Sequence, residues 1–174
     1  LKRRIQIKIT AVTKLTKTPI SVITSEMEEF FNKHLGPGRF ARTAYRLREQ
    51  GSSTKPVGIN VFTEEVLVGT VSLTELIIGD EHRCFLLGPL LIDESHRSKG
   101  LGLELIHDAI ELAKTKDAAA VLLVGDIAYY EKAGFKQTKM GQINLPGPVD
   151  PGRLLMFEIS KGAIDMIKGV AKAS

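Results

Sequence analysis

The chain has 174 residues, 43% of them apolar and 25% charged, with 24 Lys and Arg against 20 Asp and Glu and a single cysteine. That length holds one domain with a sizeable core, and the composition is that of an ordinary globular protein. No apolar run nears the ~20 residues of a membrane-spanning helix, no secretory h-region is present, and the lone Cys84 rules out an internal disulfide and suits a reducing cytoplasm.

Residues 1–25 carry Lys2, Arg3, Arg4, Lys8, Lys14 and Lys17 and no acid, so a net charge of +4 leaves −2 for the remainder. The chain therefore reads as a basic N-terminal arm or strand over 1–18 and a mildly acidic domain over 19–160. Within the arm, Ile5, Ile7, Ile9 and Ala11 alternate as in a strand rather than a helical transit peptide. Pro19 to Ile23 is a short strand candidate. Ser25-Glu26-Met27-Glu28 fits a capping box that opens a helix to about Leu35. Gly36-Pro37-Gly38 breaks that helix, and Arg39 to Gln50 reads as a second one, with Phe40, Ala44 and Leu47 on one face and Gly51-Ser52-Ser53 at its end.

Two antiparallel strands follow, Gly58 to Thr63 and Val66 to Ile78, joined at Glu64-Glu65, an unusual pair for so tight a turn. Gly79-Asp80 turns the chain into a strand from His82 to Ile92. Cys84 in that apolar run reads as a buried small hydrophobe rather than a nucleophile. Gly88-Pro89 inside the strand signals a bulge, because Pro89 has no N–H for a ladder. A helix from Leu101 to Lys116 presents Leu105, Ile106, Ala109, Ile110, Leu112 and Ala113 on one side. The continuous apolar run from Ala118 to Val124 predicts a strand covered on both faces. Strand, helix and strand of these lengths make a right-handed crossover and a parallel pair. Asp126 caps a short helix to about Ala133. A strand begins at Lys136, a rigid proline-rich loop spans Leu145 to Gly152, and Leu154 to Ser160 forms the last strand. The tail over 161–174 reads as at most a weak helix.

Arg97-Ser98-Lys99-Gly100-Leu101-Gly102 lies between the strand and the helix, where a helix N-terminus offers unpaired N–H groups to an anion. The turn is no dinucleotide fingerprint, since Leu105 stands where a third glycine belongs, and no nucleotide P-loop. The pattern R-x-x-G-x-G resembles the pyrophosphate-binding loop of the GNAT superfamily of acetyltransferases. A second motif, Val124-Gly125-Asp126 followed by Tyr129-Tyr130 and Gly134-Phe135, is similar to that superfamily's later motif, with a tyrosine four residues before Gly-Phe.

That resemblance implies an α/β fold with a central mixed sheet of about six to seven strands flanked by helices. It also implies an acetyl-CoA-dependent N-acetyltransferase that moves the acetyl group to a primary amine by direct attack in a ternary complex. Backbone groups of Leu90, Leu91 and Ile92 would pair with the pantetheine arm, and the turn of Arg97, Ser98, Lys99, Gly100, Leu101 and Gly102 would hold the pyrophosphate. Tyr130 matches the family's general acid, with packing of a short helix as the plain alternative. Tyr129 and Asp126 are further coenzyme contacts, Asp126 also reading as a cap. Glu75 is the remaining candidate base, with an outward surface glutamate as its plain alternative. No His/Cys spacing suggests a metal. Arg39, Arg42, Tyr45, Arg46 and Arg48 read as a solvated basic face or as a lure for an acidic acceptor. A non-catalytic acyl-CoA sensor and a nucleic-acid-binding module stay as competing functions. Dimers are common among such relatives, and neither a membrane nor a nucleic-acid partner is expected.

Overall fold

The computed structural model describes residues 14–50 and 56–174. The alternation from Ile5 to Ala11 and the helix end at Gly51-Ser52-Ser53 lie outside the described residues.

Among the described residues a nine-stranded sheet runs in the order β1 (Leu15–Pro19), β2 (Val57–Thr63), β3 (Val66–Ile78), β4 (His82–Ile92), β5 (Ala120–Val124), β8 (Leu154–Glu158) and β6 (Lys136–Gln137), with β9 (Gly169–Ala173) added along β3 and β7 (Ile143–Asn144) along β9. The first strand, β1 (Leu15–Pro19), pairs antiparallel with β2 (Val57–Thr63). It therefore ends where the sequence reading starts it. Ile20 still donates its N–H to the Gly58 carbonyl, but beyond it the chain turns toward α1 (Ser25–Leu35). Lys17, in the segment read from the sequence as a basic arm or strand, is tied by its ammonium to Glu104 and Asp108 on α3 (Leu101–Lys114).

The expected capping box is displaced by one residue. Thr24 is the N-cap, its hydroxyl accepting from the Met27 N–H at 3.2 Å, while Glu28 turns away to pair with Arg39 at 2.6 Å. The second helix is also not continuous. A 3-10 turn covers Pro37–Ala41, Arg42 is extended, and α2 runs only over Thr43–Gln50. The cause is Arg39, which is 2% exposed and folds its guanidinium back onto Glu28 and Asn32 of α1. Phe40 is consequently exposed, and Leu47 is buried without it.

At the turn from β2 into β3 (Val66–Ile78), Glu64 and Glu65 both take positive φ, 46° and 69°, the combination a two-residue hairpin turn demands. β4 (His82–Ile92) pairs antiparallel with β3, Val71 opposite Leu90 and Leu73 opposite Leu87. Gly88 and Pro89 thus face Ser72 alone, which is the expected bulge. Beyond the bulge β4 leaves its other neighbour. Its parallel ladder with β5 (Ala120–Val124) covers only Cys84–Leu86 against Ala120–Leu122.

Among the described residues three apolar clusters pack on this sheet, the smallest of them formed by Ile20, Met27, Phe30, Phe31 and Leu67. On one face α3 sets Leu105, Ile106, Ala109 and Ile110 against Val71, Leu73, Phe85 and Val121. Fully burying each such Leu, Ile, Val or Phe side chain contributes roughly 1.5–3 kcal/mol. On the other, Leu47 of α2 meets Leu76, Leu86 and Leu122. Cys84 is fully buried in this second core, and burial pushes its thiol up to about 12. After β5 come α4 (Ile127–Tyr130), the short β6 (Lys136–Gln137) and β7 (Ile143–Asn144), and β8 (Leu154–Glu158). The expected tail is structural: α5 (Ala163–Met166) leads into β9 (Gly169–Ala173), antiparallel to Leu76–Ile78 and parallel to β7.

Candidate active site

The turn before α3 is shaped by backbone rather than by side-chain caps. Ser98 and Gly100 take φ of 59° and 84°, and no side chain caps the helix N-terminus. The first helical N–H with an acceptor is that of Glu104, bonded to Gly100, so the preceding amides of α3 project from the helix end. A Cβ on Gly100 would meet nothing within 4 Å, so its φ is what calls for glycine there. Arg97 donates from Nε to the Ile92 carbonyl at 3.1 Å, and Lys99 donates to the Ser95 carbonyl at 2.7 Å. Both cations are thereby folded along the exposed turn. Asp93 nearby is held by Lys33 at 2.8 Å and by Ser95, which keeps its carboxyl well below the usual range.

Where β4 and β5 part, a cleft of about 540 Å³ opens, lined by Leu87 to Leu91, by Leu123 and Val124, and by Tyr130. Leu90, Leu91 and Ile92 are half-buried along β4. Asp126 acts as the N-cap of α4, accepting from the Ala128 N–H at 3.0 Å. From that capped turn the adjacent tyrosines diverge. The Tyr129 hydroxyl lies over Gly102, where any Cβ would collide with it. The Tyr130 ring instead covers Gly125, again leaving no room for a Cβ, and stands edge-on to Tyr129 with centroids 5.0 Å apart and to Phe135 at 6.0 Å. Burial raises the Tyr130 phenol above its ordinary value, Tyr129 adds to this, and Arg153 opposes it. Burial alone raises Tyr129. Tyr130 is thus a protonated donor in a half-dry cleft at neutral pH.

Glu75 is not part of this cleft. Both its oxygens are taken by Arg83, at 2.9 and 3.0 Å, on the face of the sheet that α3 covers. It borders a separate cavity of about 440 Å³ that also meets Glu28 and Glu49. The opposite wall of the cleft comes from the α1–α2 connection, with Arg39, Arg42 and Tyr45, and from the loop before β8, with Asp150 and Arg153. Of these, the sequence marks Asp150 only as part of a proline-rich loop, and it does not single out Arg153, between that loop and the last strand. Among the described residues no group of three or more His, Cys, Asp or Glu side chains is arranged to hold a metal ion.

The sequence model described as Acetyltransferase (GNAT) family matches residues 21–135, which contain the turn, the diverging strands and both tyrosines. YhbS of Escherichia coli K12, an uncharacterised N-acetyltransferase, is 26% identical over 132 residues, 75% of this chain and 76% of its own length. The crystal structure of Escherichia coli YhbS in complex with CoA is similar at a TM-score of 0.77 and 19% identity, covering 93% of this chain and 91% of that one. A GNAT family acetyltransferase from Brucella melitensis in complex with acetyl-CoA gives 0.63 at 16% identity, over 93% and 97% of the two chains. At these identities the superpositions establish a common fold. With a family match over most of its length, the chain belongs to the acetyltransferase (GNAT) family.

Proposed function

We propose that this protein transfers the acetyl group of acetyl-CoA to a primary amine by direct attack in a ternary complex. The observation that carries this reading is Tyr130, a half-buried, protonated phenol at the point where β4 and β5 separate, in the same cleft as Leu90 and Leu91. The surroundings fit a coenzyme A thioester. The uncapped start of α3 offers amides of Leu101 and Gly102 to the pyrophosphate, and Arg97, Ser98, Lys99 and Gly100 form the turn around it. Leu90, Leu91 and Ile92 lie on the part of β4 beyond its ladder with β5, where a pantetheine arm would pair as an added strand. Tyr129 reaches the turn through its hydroxyl over Gly102, and Asp126 serves by capping the helix that carries both tyrosines. The relatives with CoA and acetyl-CoA support the same choice of coenzyme.

In the reaction the amine lone pair forms a C–N bond at the thioester carbonyl, and the C–S bond breaks with its electron pair leaving on sulfur. Tyr130 donates its phenolic proton to that thiolate and recovers one from solvent. An amide of β4 near Ile92 is the donor for the oxyanion. The amine's own proton leaves to water, because Glu75 is committed to Arg83 and does not enter the mechanism. Calorimetric titration with acetyl-CoA tests the reading. Saturable binding in the micromolar range, lost on Gly100→Glu, is the expected result. An unaltered isotherm in that variant moves the coenzyme elsewhere, and no binding at all removes the proposal.

A further inference from the structure

The acceptor end of the cleft has an uneven charge. Its lining holds three arginines, Arg39, Arg42 and Arg153, against one carboxylate, Asp150. Arg39 is neutralised by Glu28, stacks on Phe40 at 4.5 Å and is almost fully buried, so it serves as a rigid part of the wall. Its Nε still has no hydrogen-bond partner among the described residues. Asp150 is engaged by the Gly152 N–H at 2.9 Å, where it caps the turn that carries Arg153. Arg42 and Arg153 are exposed, and neither has an ion-pair partner among the described residues. The two walls that carry them are clamped together. Thr43, next to Arg42, donates its hydroxyl to the Pro148 carbonyl at 3.0 Å, and a Cβ on Gly147 would press on that same hydroxyl.

We propose that the acceptor is a primary amine that also carries a carboxylate, received by Arg42 and Arg153 at the mouth of the cleft. This rests on the acetyl-transfer reading and gives its substrate a class. A guanidinium pair recognises a carboxylate by charge-assisted, often bidentate hydrogen bonds. It repels polycationic amines. The same cations disfavour an ammonium beside them, so the acceptor nitrogen loses its proton more readily.

The test compares β-alanine, β-alaninamide and 1,3-diaminopropane, which share a primary amine on two methylenes and differ in the distal group. The expected order in kcat/KM puts β-alanine first by about tenfold or more, the effect of one charged hydrogen-bonded contact. In Arg42→Gln combined with Arg153→Gln the preference falls to near parity through KM. Lys172→Gln, distant on β9, leaves it intact. Equal or faster turnover of the diamine, or a preference that survives the double variant, overturns the proposal. Should the double variant fail to fold, ionic strength replaces it: the preference of the unaltered protein must shrink as salt rises, and one indifferent to salt overturns the idea. If no amine is consumed, the acetyl-transfer reading falls separately, and a shift titration with carbon-13-labelled β-alanine then decides the carboxylate site, absence of binding refuting it.

Discussion

In a helix as short as α4, successive side chains leave the axis about 100° apart, so Tyr129 meets Gly102 while Tyr130 enters the cleft. Replacing Tyr130 by Phe retains the ring against Gly125 and Phe135 and removes only the hydroxyl that carries the proton. We expect kcat to fall about a hundredfold, the lower end for general acids, with acetyl-CoA affinity unchanged by calorimetry. Unchanged turnover would reduce Tyr130 to packing. Because burial raises this phenol, its protonated form is lost only as pH rises past its ordinary value of ~10. The alkaline limb of kcat that belongs to Tyr130 therefore lies above that value in the parent and is absent in Tyr130→Phe. Asp93 works in the opposite direction. Its carboxyl is lowered first by the Lys33 hydrogen bond and then by Ser95, so its contribution to stability is present above the unfolded carboxyl value of ~4 and is lost as pH falls. Asp93→Asn should flatten the acid side of a plot of Tm against pH, and an identical acid limb would show the pair to be energetically idle.

At the scale of elements, the entry to α1 separates two caps one residue apart. Thr24→Ala removes the hydroxyl that accepts from Met27 and should cost about 1 kcal/mol in denaturant unfolding, whereas Ser25→Ala should cost a few tenths at most. The reverse ranking would restore the capping box at Ser25. The sequence reads Ser-x-x-Glu as the cap, and local rules alone do not show that Glu28 is engaged elsewhere. Glu28 was drawn away by Arg39, eleven residues on, and that long contact selected the cap. The same arginine broke the expected helix from Arg39 to Gln50. By contrast, the bulge in β4 was legible at once, since a proline in a strand has no N–H to offer wherever the strand lies.

For the molecule as a whole, α3 spans β2, β3, β4 and β5 and is the largest single source of apolar burial on its face of the sheet. Leu105→Ala, at a fully buried position, should cost about 2–5 kcal/mol. A smaller loss would mean that α3 collapses onto the vacated space. The chain's C-terminal segment is fastened to the rest by Gln142, which donates its side-chain amide to the Ile164 and Ile167 carbonyls at 2.7 and 2.8 Å. Sequence by itself determined the parts whose physics is local: the period of α3, the double-sided burial of β5, the bulge at Gly88-Pro89, the glycine turn, and the Tyr-Tyr pair before Gly-Phe. Tertiary structure alone decided what depends on distant partners. It paired Glu75 with Arg83, made a strand of 169–173 by supplying the free edge of β3, and brought Arg42 and Arg153 to one cleft. A periodic pattern reports which face of an element is apolar, but not which charges from other elements will meet there.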